Sequence, residues 1–404
     1  MSIIPDEEPP YGLKTLDTVE SIDANVWDQL CVHTGASYNP FISHAFLAAL
    51  EKSNSVCENA GWVPRHLLLK SQGQAVGAAP AYLKLHSRGE YIFDHHWADA
   101  YQRAGGQYYP KLLIAAPFTP ATGPRFLGQN TSVRTALAQG ACEVAKALRV
   151  SSLHVNFVHE SDIICSADAP YLHRESAQYH WLNRGYESFD AFLAALSSRK
   201  RKAIRKERRQ AIESGLTIRQ LRADEITQDL WDAFWVFYQD TGARKWGSPY
   251  LTRTFFSIIA DTMADQLLMI VAENQGKPIA AALNFVGGDA LYGRYWGCTE
   301  YHPFLHFEIC YYQAIDFAIE HNLARVEAGA QGEHKIARGY EPVTTKSLHW
   351  IADPGFRVAI DNYLAAERSD NAAEIDYLAD FAPFKKGNPA DPIREQSQSE
   401  KGDV

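Results

Sequence analysis

The run from Glu327 to Pro342, EAGAQGEHKIARGYEP, gathers acids, a histidine and two cations around small residues. Gly329, Ala330 and Gly332 let a backbone come close to a ligand, and Glu333 to Arg338 is a charged, helix-like run that follows a strand over Ala324 to Glu327. If that run is helical, His334 and Arg338 stand four residues apart and share a face, offering a base and a cation together. Proton abstraction beside an anionic group needs such a pairing. Glu327 or His334 is the expected base or water relay, and Lys335 and Arg338 are expected to hold an anion. Tyr295, next to Trp296, is the expected donor to a leaving group, although an aromatic in a strand also serves as core packing.

Four further clusters stand near these residues or elsewhere in the chain. His302, His306 and Glu308 surround a predicted helix start, where backbone N–H groups favour anions and where Pro303 is well suited. His306 and Glu308 are therefore expected substrate contacts. No metal is expected, because no glutamate separates the two histidines in the manner of a zincin and Pro303 puts His302 outside the helix. His95, His96, Asp99, Tyr101 and Arg103 crowd before Gly105-Gly106, a polar run for a strand end. Asp99, Tyr101 and Arg103 serve there either as a hydrogen-bonded loop or as substrate contacts. Between Tyr238 and Phe256, Arg244, Lys245, Trp246, Tyr250 and Arg253 mix rings and cations, and Trp246 and Tyr250 would suit an acyl chain with an anionic end. Finally, RKRKAIRKERRQ, Arg199 to Gln210, continues a helix that Ser188 can cap. Lys200, Arg201 and Arg205 belong either to a solvated face or to a clamp for phosphates, RNA or anionic headgroups.

These clusters need elements to position them, and the elements repeat. Leu67 to Leu83 reads strand, Gln72-Gly73 turn, strand, and Leu267 to Phe285 reads the same around Gln275-Gly276. Each copy continues with a Gly-acid turn, an aromatic strand ending near Trp97 or Trp296, a helix (133–148 or 307–320) and a short strand (152–157 or 324–328). Each closes on Arg-Gly-Tyr, at Arg184 to Tyr186 and Arg338 to Tyr340. The order predicts two related mixed α/β domains, over 1–187 and 216–384, joined by a basic helix over 188–215 and followed by a disordered tail over 385–404. The first copy carries an insertion in which Pro110 to Leu127 is expected as a stiff wall or lid.

The 404 residues carry a formal net charge of -9, which argues against nucleic-acid binding across the whole surface but not against one basic patch. The six cysteines have no metal-ligand spacing and read as reduced core thiols. An acidic, proline-rich start and the lack of a long apolar run predict a cytoplasmic protein, with room for a peripheral membrane contact.

The strand-strand-strand-helix-strand order resembles the core of the GCN5-related N-acyltransferase (GNAT) superfamily, and two such domains with a basic helix resemble the FemAB-type transferases. DHHWADAYQRAGGQYY, PKLLIAAPFTPATGPRFL and EAGAQGEHKIARGYEP are similar to a bacterial FemAB-like family of N-acyltransferases labelled peptidoglycan biosynthesis or recognition. The resemblance spans residues 15 to 385 and implies transfer of an acyl group from acyl-CoA, a co-substrate rather than a resident cofactor, to a small-molecule or lipid amine. Some bacterial ceramide synthases resemble the same group, which brings long-chain bases into view. An aminoacyl-tRNA donor, with RNA on the basic helix, is one alternative. A non-catalytic module recognising envelope precursors is another. The chain departs from the GNAT pattern in one place: EYHPFLHFE, 300–308, lacks the Gln/Arg-x-x-Gly-x-Gly/Ala loop that cradles a pyrophosphate.

Overall fold

Two nearly continuous apolar runs, LLMIVAEN and KPIAAALNFV, pair as an antiparallel hairpin around Gln275-Gly276, as strands buried on both faces should. A computed structural model of the protein describes residues 11–213, 215–245, 249–329 and 332–385. The first strands are β1 (Gly12–Leu16), β2 (Trp62–Pro64), β3 (His66–Ser71), β4 (Gln74–Ala79), β5 (Ala81–Lys84), β6 (Lys111–Ile114), β7 (Leu127–Gly128), β8 (Ser152–Val158) and β9 (Leu172–Leu182). The remaining ones are β10 (Leu216–Arg222), β11 (Leu267–Asn274), β12 (Lys277–Val286), β13 (Ala290–Cys298), β14 (Arg325–Glu327) and β15 (Glu341–Ile351).

The chain forms two units, each assembled from separated stretches. The first comprises Met1–Glu175, Tyr250–Ile259 and Thr345–Arg368, and the second comprises Ser176–Pro249, Ala260–Thr344 and Ser369–Val404. In the first, β1, β3, β4 and β7 form one antiparallel sheet, while β2, β5, β6, β8 and the latter part of β15 lie side by side in that order. Helix Thr131–Ala147, capped by Asn130, buries Leu137, Ala138, Ala141 and Ala145 among Leu67, Leu112, Ile114, Leu153 and Val155. In the second unit the order is β10, β11, β12, β13, β14 and the latter part of β9, antiparallel throughout except between β13 and β14. A helical stretch from Leu305 to Glu320, with a π turn over Glu308–Tyr312, connects those two parallel strands and packs Ile309, Tyr312, Ile315 and Phe317 into the core. The units thus share one connection: a strand, a helix and a parallel strand, β6 to β8 and β13 to β14.

Several local expectations fail for identifiable reasons. Trp97 does not end a strand. It is buried in helix His95–Arg103, and the polar residues around it are that helix's solvent face. Pro110 to Leu127 is no lid, because Lys111–Ile114 is the buried strand beside β8 and the residues after it are almost all buried. The two Arg-Gly-Tyr tripeptides are not equivalent: the first follows β9, whereas the second precedes β15. The repeat therefore rests on the shared strand-helix-strand connection and not on those tripeptides. The basic stretch is two helices, Phe189–Ala195 capped by Ser188 and Ser198–Glu213, separated where Leu196 bridges to Phe384. Residues 1–10, Ala330 and the tail from 386 onward lie outside the described residues.

Candidate functional site

β13 and β14 pair only at Ala290–Arg325, Leu291–Val326 and Tyr292–Glu327, after which β14 stops while β13 runs on to Cys298. The edge of β13 that faced β14 is thereby released, and the chain beyond Glu327 turns away at Gly329, whose φ of 84° demands glycine-like freedom. Glu333–Arg338 then forms a 3-10 helix. With three residues per turn, residues four apart no longer share a face. His334 is exposed and Arg338 buried, which corrects the expected common face.

Arg338 is locked in place. Its Nη2 donates to both carboxylate oxygens of Glu207 at 3.0 Å, its Nη1 donates to the His334 carbonyl at 2.8 Å, and its guanidinium lies 3.4 Å from the Phe307 ring centroid. Glu207 also accepts from the Tyr312 hydroxyl, whose ionisation burial opposes. Glu308 is fully buried, held by Arg208 at 2.9 Å and by Gln313 at 2.8 Å, and Arg208 also reaches Asp316 at 2.6 Å. Glu207 and Arg208, neighbours on the basic helix, thus fasten it to the 3-10 helix and the π turn. Of the cationic expectations on this helix, Lys200 and Arg201 are half-buried, while Arg205 is exposed and pairs with Asp190.

Lys335 is 2% exposed, with Nζ donating to the Gly329 carbonyl at 2.8 Å. Burial lowers its ammonium to about 7, against a smaller opposing effect from Cys310. Glu327 is 4% exposed. Its Oε1 accepts from Arg325 Nε at 2.9 Å, while Oε2 has no hydrogen-bond partner and stands 3.8 Å from His180 Nε2. Burial lowers the pKa of His180, which favours the neutral imidazole there.

At the mouth of the site, His334 Nε2 and the Tyr311 hydroxyl are 2.9 Å apart. Burial raises the Tyr311 pKa, so the phenol keeps its proton and can donate to the imidazole. His306 packs against Trp296, Tyr311 and Phe307 with centroids 5.2–5.6 Å away, and lies 6.4 Å from His334. His302 lies outside the helix and reaches Glu300 at 3.3 Å. Tyr295, on the released part of β13, meets Tyr238 edge-on at 5.5 Å. Sequence reasoning thus named Glu327, His334, Lys335 and Arg338 and gave no site role to Tyr311, His180, Arg325 or Glu207, the last marked only as the one acid in the run from Arg199 to Gln210.

The first unit treats the equivalent connection differently. β6 ends at Ile114, and its own chain fills the space beside β8: Gly123 N donates to Phe157 O at 3.0 Å. The fully buried Arg125 guanidinium donates to the carbonyls of Asn156, Gly123, Pro124 and Ala121 at 2.6–3.2 Å. Asp99 and Arg103 are exposed on helix His95–Arg103, and Tyr101 packs on Phe356 at 4.7 Å. Beneath that helix the buried polar groups are others: Lys111 with Glu90 and Asp94, and His154 with His349 at 2.6 Å between Nδ1 atoms. Tyr250 stacks on Phe118 at 5.1 Å in this unit, and Trp246 lies outside the described residues. Among the described residues no group of histidine, cysteine, aspartate and glutamate is arranged to hold a metal, and no helix is long and apolar enough to cross a membrane.

The chain is mixed α/β, with this strand-helix-strand connection once in each unit. It belongs to the FemAB-like family, described as peptidoglycan biosynthesis/recognition, whose model matches residues 18–386. Among solved structures it is similar to FemX, at 13% identity and a TM-score of 0.53 over 84% of this chain and 98% of that one. It is also similar to the C-terminal domain of a putative lysylphosphatidylglycerol synthetase from Agrobacterium fabrum, at 9% identity and 0.51 over 86% and 97%. A protein of unknown function from Bacteroides thetaiotaomicron aligns at 13% identity and 0.51 over 84% and 100%. At these identities the likeness is one of fold. No curated protein sequence matches the chain.

Proposed function

We propose that the second unit transfers an acyl group from acyl-CoA to the amine of a small-molecule or lipid acceptor. The observation that carries this reading is the end of β14 at Glu327 beside β13, with Lys335 on the Gly329 carbonyl and the His334-Tyr311 pair linked to Trp296 of β13 through His306. Acyl transfer needs a neutral amine, a group for the developing oxyanion and an acid for the leaving group. His334, exposed, takes the proton from the attacking nitrogen on Nδ1, in the tautomer whose Nε2–H donates to the Tyr311 oxygen. Lys335, fixed by the Gly329 carbonyl, holds the negative charge that forms on the acyl oxygen. Arg338, engaged by Glu207, orients the 3-10 helix, and Glu327 receives the acceptor amine through its unpartnered oxygen. Tyr295, on the part of β13 beyond β14, donates to the leaving group. The first unit, whose corresponding space Arg125 fills, supports rather than catalyses.

A second reading keeps the chemistry and changes the donor to aminoacyl-tRNA. It is favoured by Glu300, whose carboxylate accepts from Asn274 and meets His302 just before the Leu305 helix start, where a pyrophosphate would encounter negative charge. Purified protein is to be offered acyl-CoAs of graded length with amines of graded size, while free thiol is measured. Amine-dependent thiol release is expected, with His334→Gln slower by about two to four orders of magnitude. Absence of thiol release from every acyl-CoA, together with ribonuclease-sensitive transfer from aminoacyl-tRNA, would replace the CoA donor.

A further inference from the structure

Helix Ser198–Glu213 has two sides of different character. The inner side is committed, with Ile204 and Ala211 buried and Glu207 and Arg208 bound to Arg338, Tyr312, Glu308 and Asp316. The outer side presents Arg199, Lys202, Arg205, Lys206 and Arg209, all exposed. At about 100° per residue these five fall within about 120° of arc, a cationic ridge rather than a collar. Arg205 spends part of its charge on Asp190, but both partners of that pair are solvated and the attraction is weak.

Beside the start of this helix, the backbone of Ser197 donates to Pro383 at 2.8 Å and that of Lys385 to Ala195 at 3.0 Å. Two residues before Pro383, Phe381 is 53% exposed and meets Tyr377, itself 64% exposed, with ring centroids 5.0 Å apart. Ile212, on the basic helix, is also 53% exposed. Large apolar side chains left in water next to a row of cations are the composition of an interfacial surface, in which rings enter the headgroup zone and cations meet phosphates.

We propose that this face docks the protein onto an anionic phospholipid bilayer. The ridge supplies long-range attraction that the chain as a whole, at -9, does not. Tyr377, Phe381 and Ile212 supply the apolar contact that survives screening. Lipid is favoured over RNA because the two rings pack edge to face at 67°, on each other, and so do not form a stack open to successive bases. The ion pairs on the inner side hold the ridge rigidly against the elements of the candidate site, so that docking would bring that site to a membrane-borne substrate. The proposal does not rest on the acyltransferase reading.

The test is cosedimentation of the full chain with vesicles of phosphatidylcholine alone and of phosphatidylcholine with phosphatidylglycerol in equal parts, at low and high salt. Binding to the anionic vesicles only is expected, and it should weaken strongly with salt. Each removed cation should lower the partition constant about fivefold, so Lys202→Ala, Lys206→Ala and Arg209→Ala together should cost about a hundredfold. Tyr377→Ser with Phe381→Ser should lower binding at every salt concentration, including where the charge contribution is already screened. Unchanged melting temperatures in both variants would show that the losses are local. Equal binding to neutral and anionic vesicles, or undiminished binding by the triple variant, would overturn the proposal. So would variant-sensitive binding to a short RNA with no binding to vesicles, which would make the ridge an RNA surface. Amine-dependent thiol release on soluble substrates should persist in both variants, which separates failure of docking from failure of the catalytic reading.

Discussion

Lys335 carries the most stringent expectation at the scale of a residue. A buried amine with a folded-state pKa of about 7, against 10.5 when unfolded, binds fewer protons folded than unfolded between those values. Its cost to stability is therefore complete below about pH 7 and is relieved as the pH climbs toward 10.5. Lys335→Met should raise stability by about 1–3 kcal/mol at neutral pH, with the gain shrinking in alkali, while removing turnover. Thermal unfolding of both proteins from pH 6 to pH 10 checks the first half. If the ammonium form holds the developing oxyanion, kcat of the parent protein should fall as pH rises through about 7. A rise over the same interval that persists in His334→Gln would make Lys335 a base instead. Glu327 leaves one carboxylate oxygen without a hydrogen-bond partner in the interior, which is unfavourable unless a ligand completes it.

At the scale of elements, the site depends on how β13 is held once β14 has left it. Helix Gln228–Lys245 packs on β13, and Gly297 is the point of closest approach: a Cβ there would stand 2.1 Å from the Phe237 carbonyl oxygen. Backbone on both sides leaves no side chain to yield. Gly297→Ala should therefore destabilise the second unit by about 3 kcal/mol or more, through a shifted helix. Because Tyr295 precedes this position and Tyr238 packs on Tyr295, the shift should also reach the leaving-group side. Chemical denaturation measures the first effect, and the rate of thiol release at saturating amine measures the second. A variant as stable as its parent would show that the helix is free to retreat.

At the scale of the molecule, the two units share a connection but not its use. The space beside β8 is filled by Arg125 and the chain around it, whereas the space beside β13 is left to the residues of the site. Arg125→Met would leave four buried carbonyls without their donor and should cost about 3–5 kcal/mol, comparable with breaking a buried charge-assisted network. Turnover per folded molecule, measured well below the new melting temperature, should stay within about twofold if catalysis belongs to the second unit. Loss of turnover in a protein that is still folded would place chemistry in the first unit as well.

Local patterning was enough to reveal the hairpins at Gln72-Gly73 and Gln275-Gly276, the helix near 133–148, the released strand with Trp296 and the Gly-spaced turn after Glu327, because apolar period and turn chemistry act between near neighbours. The mixed α/β class was legible for the same reason, and the family through the resemblance of its three motifs. What required the tertiary structure depends on partners far apart in sequence. Whether Pro110 to Leu127 was lid or core turned on β6 pairing with β8, and whether the Arg-Gly-Tyr tripeptides matched turned on which strand each adjoins. The shared face of His334 and Arg338 dissolved because the run winds as a 3-10 helix, and Arg338 is occupied by Glu207, 131 residues away. Spacing along a chain sets which side chains can share an element; long-range packing and the cost of leaving a buried charge unpaired decide which of them remain available to a ligand.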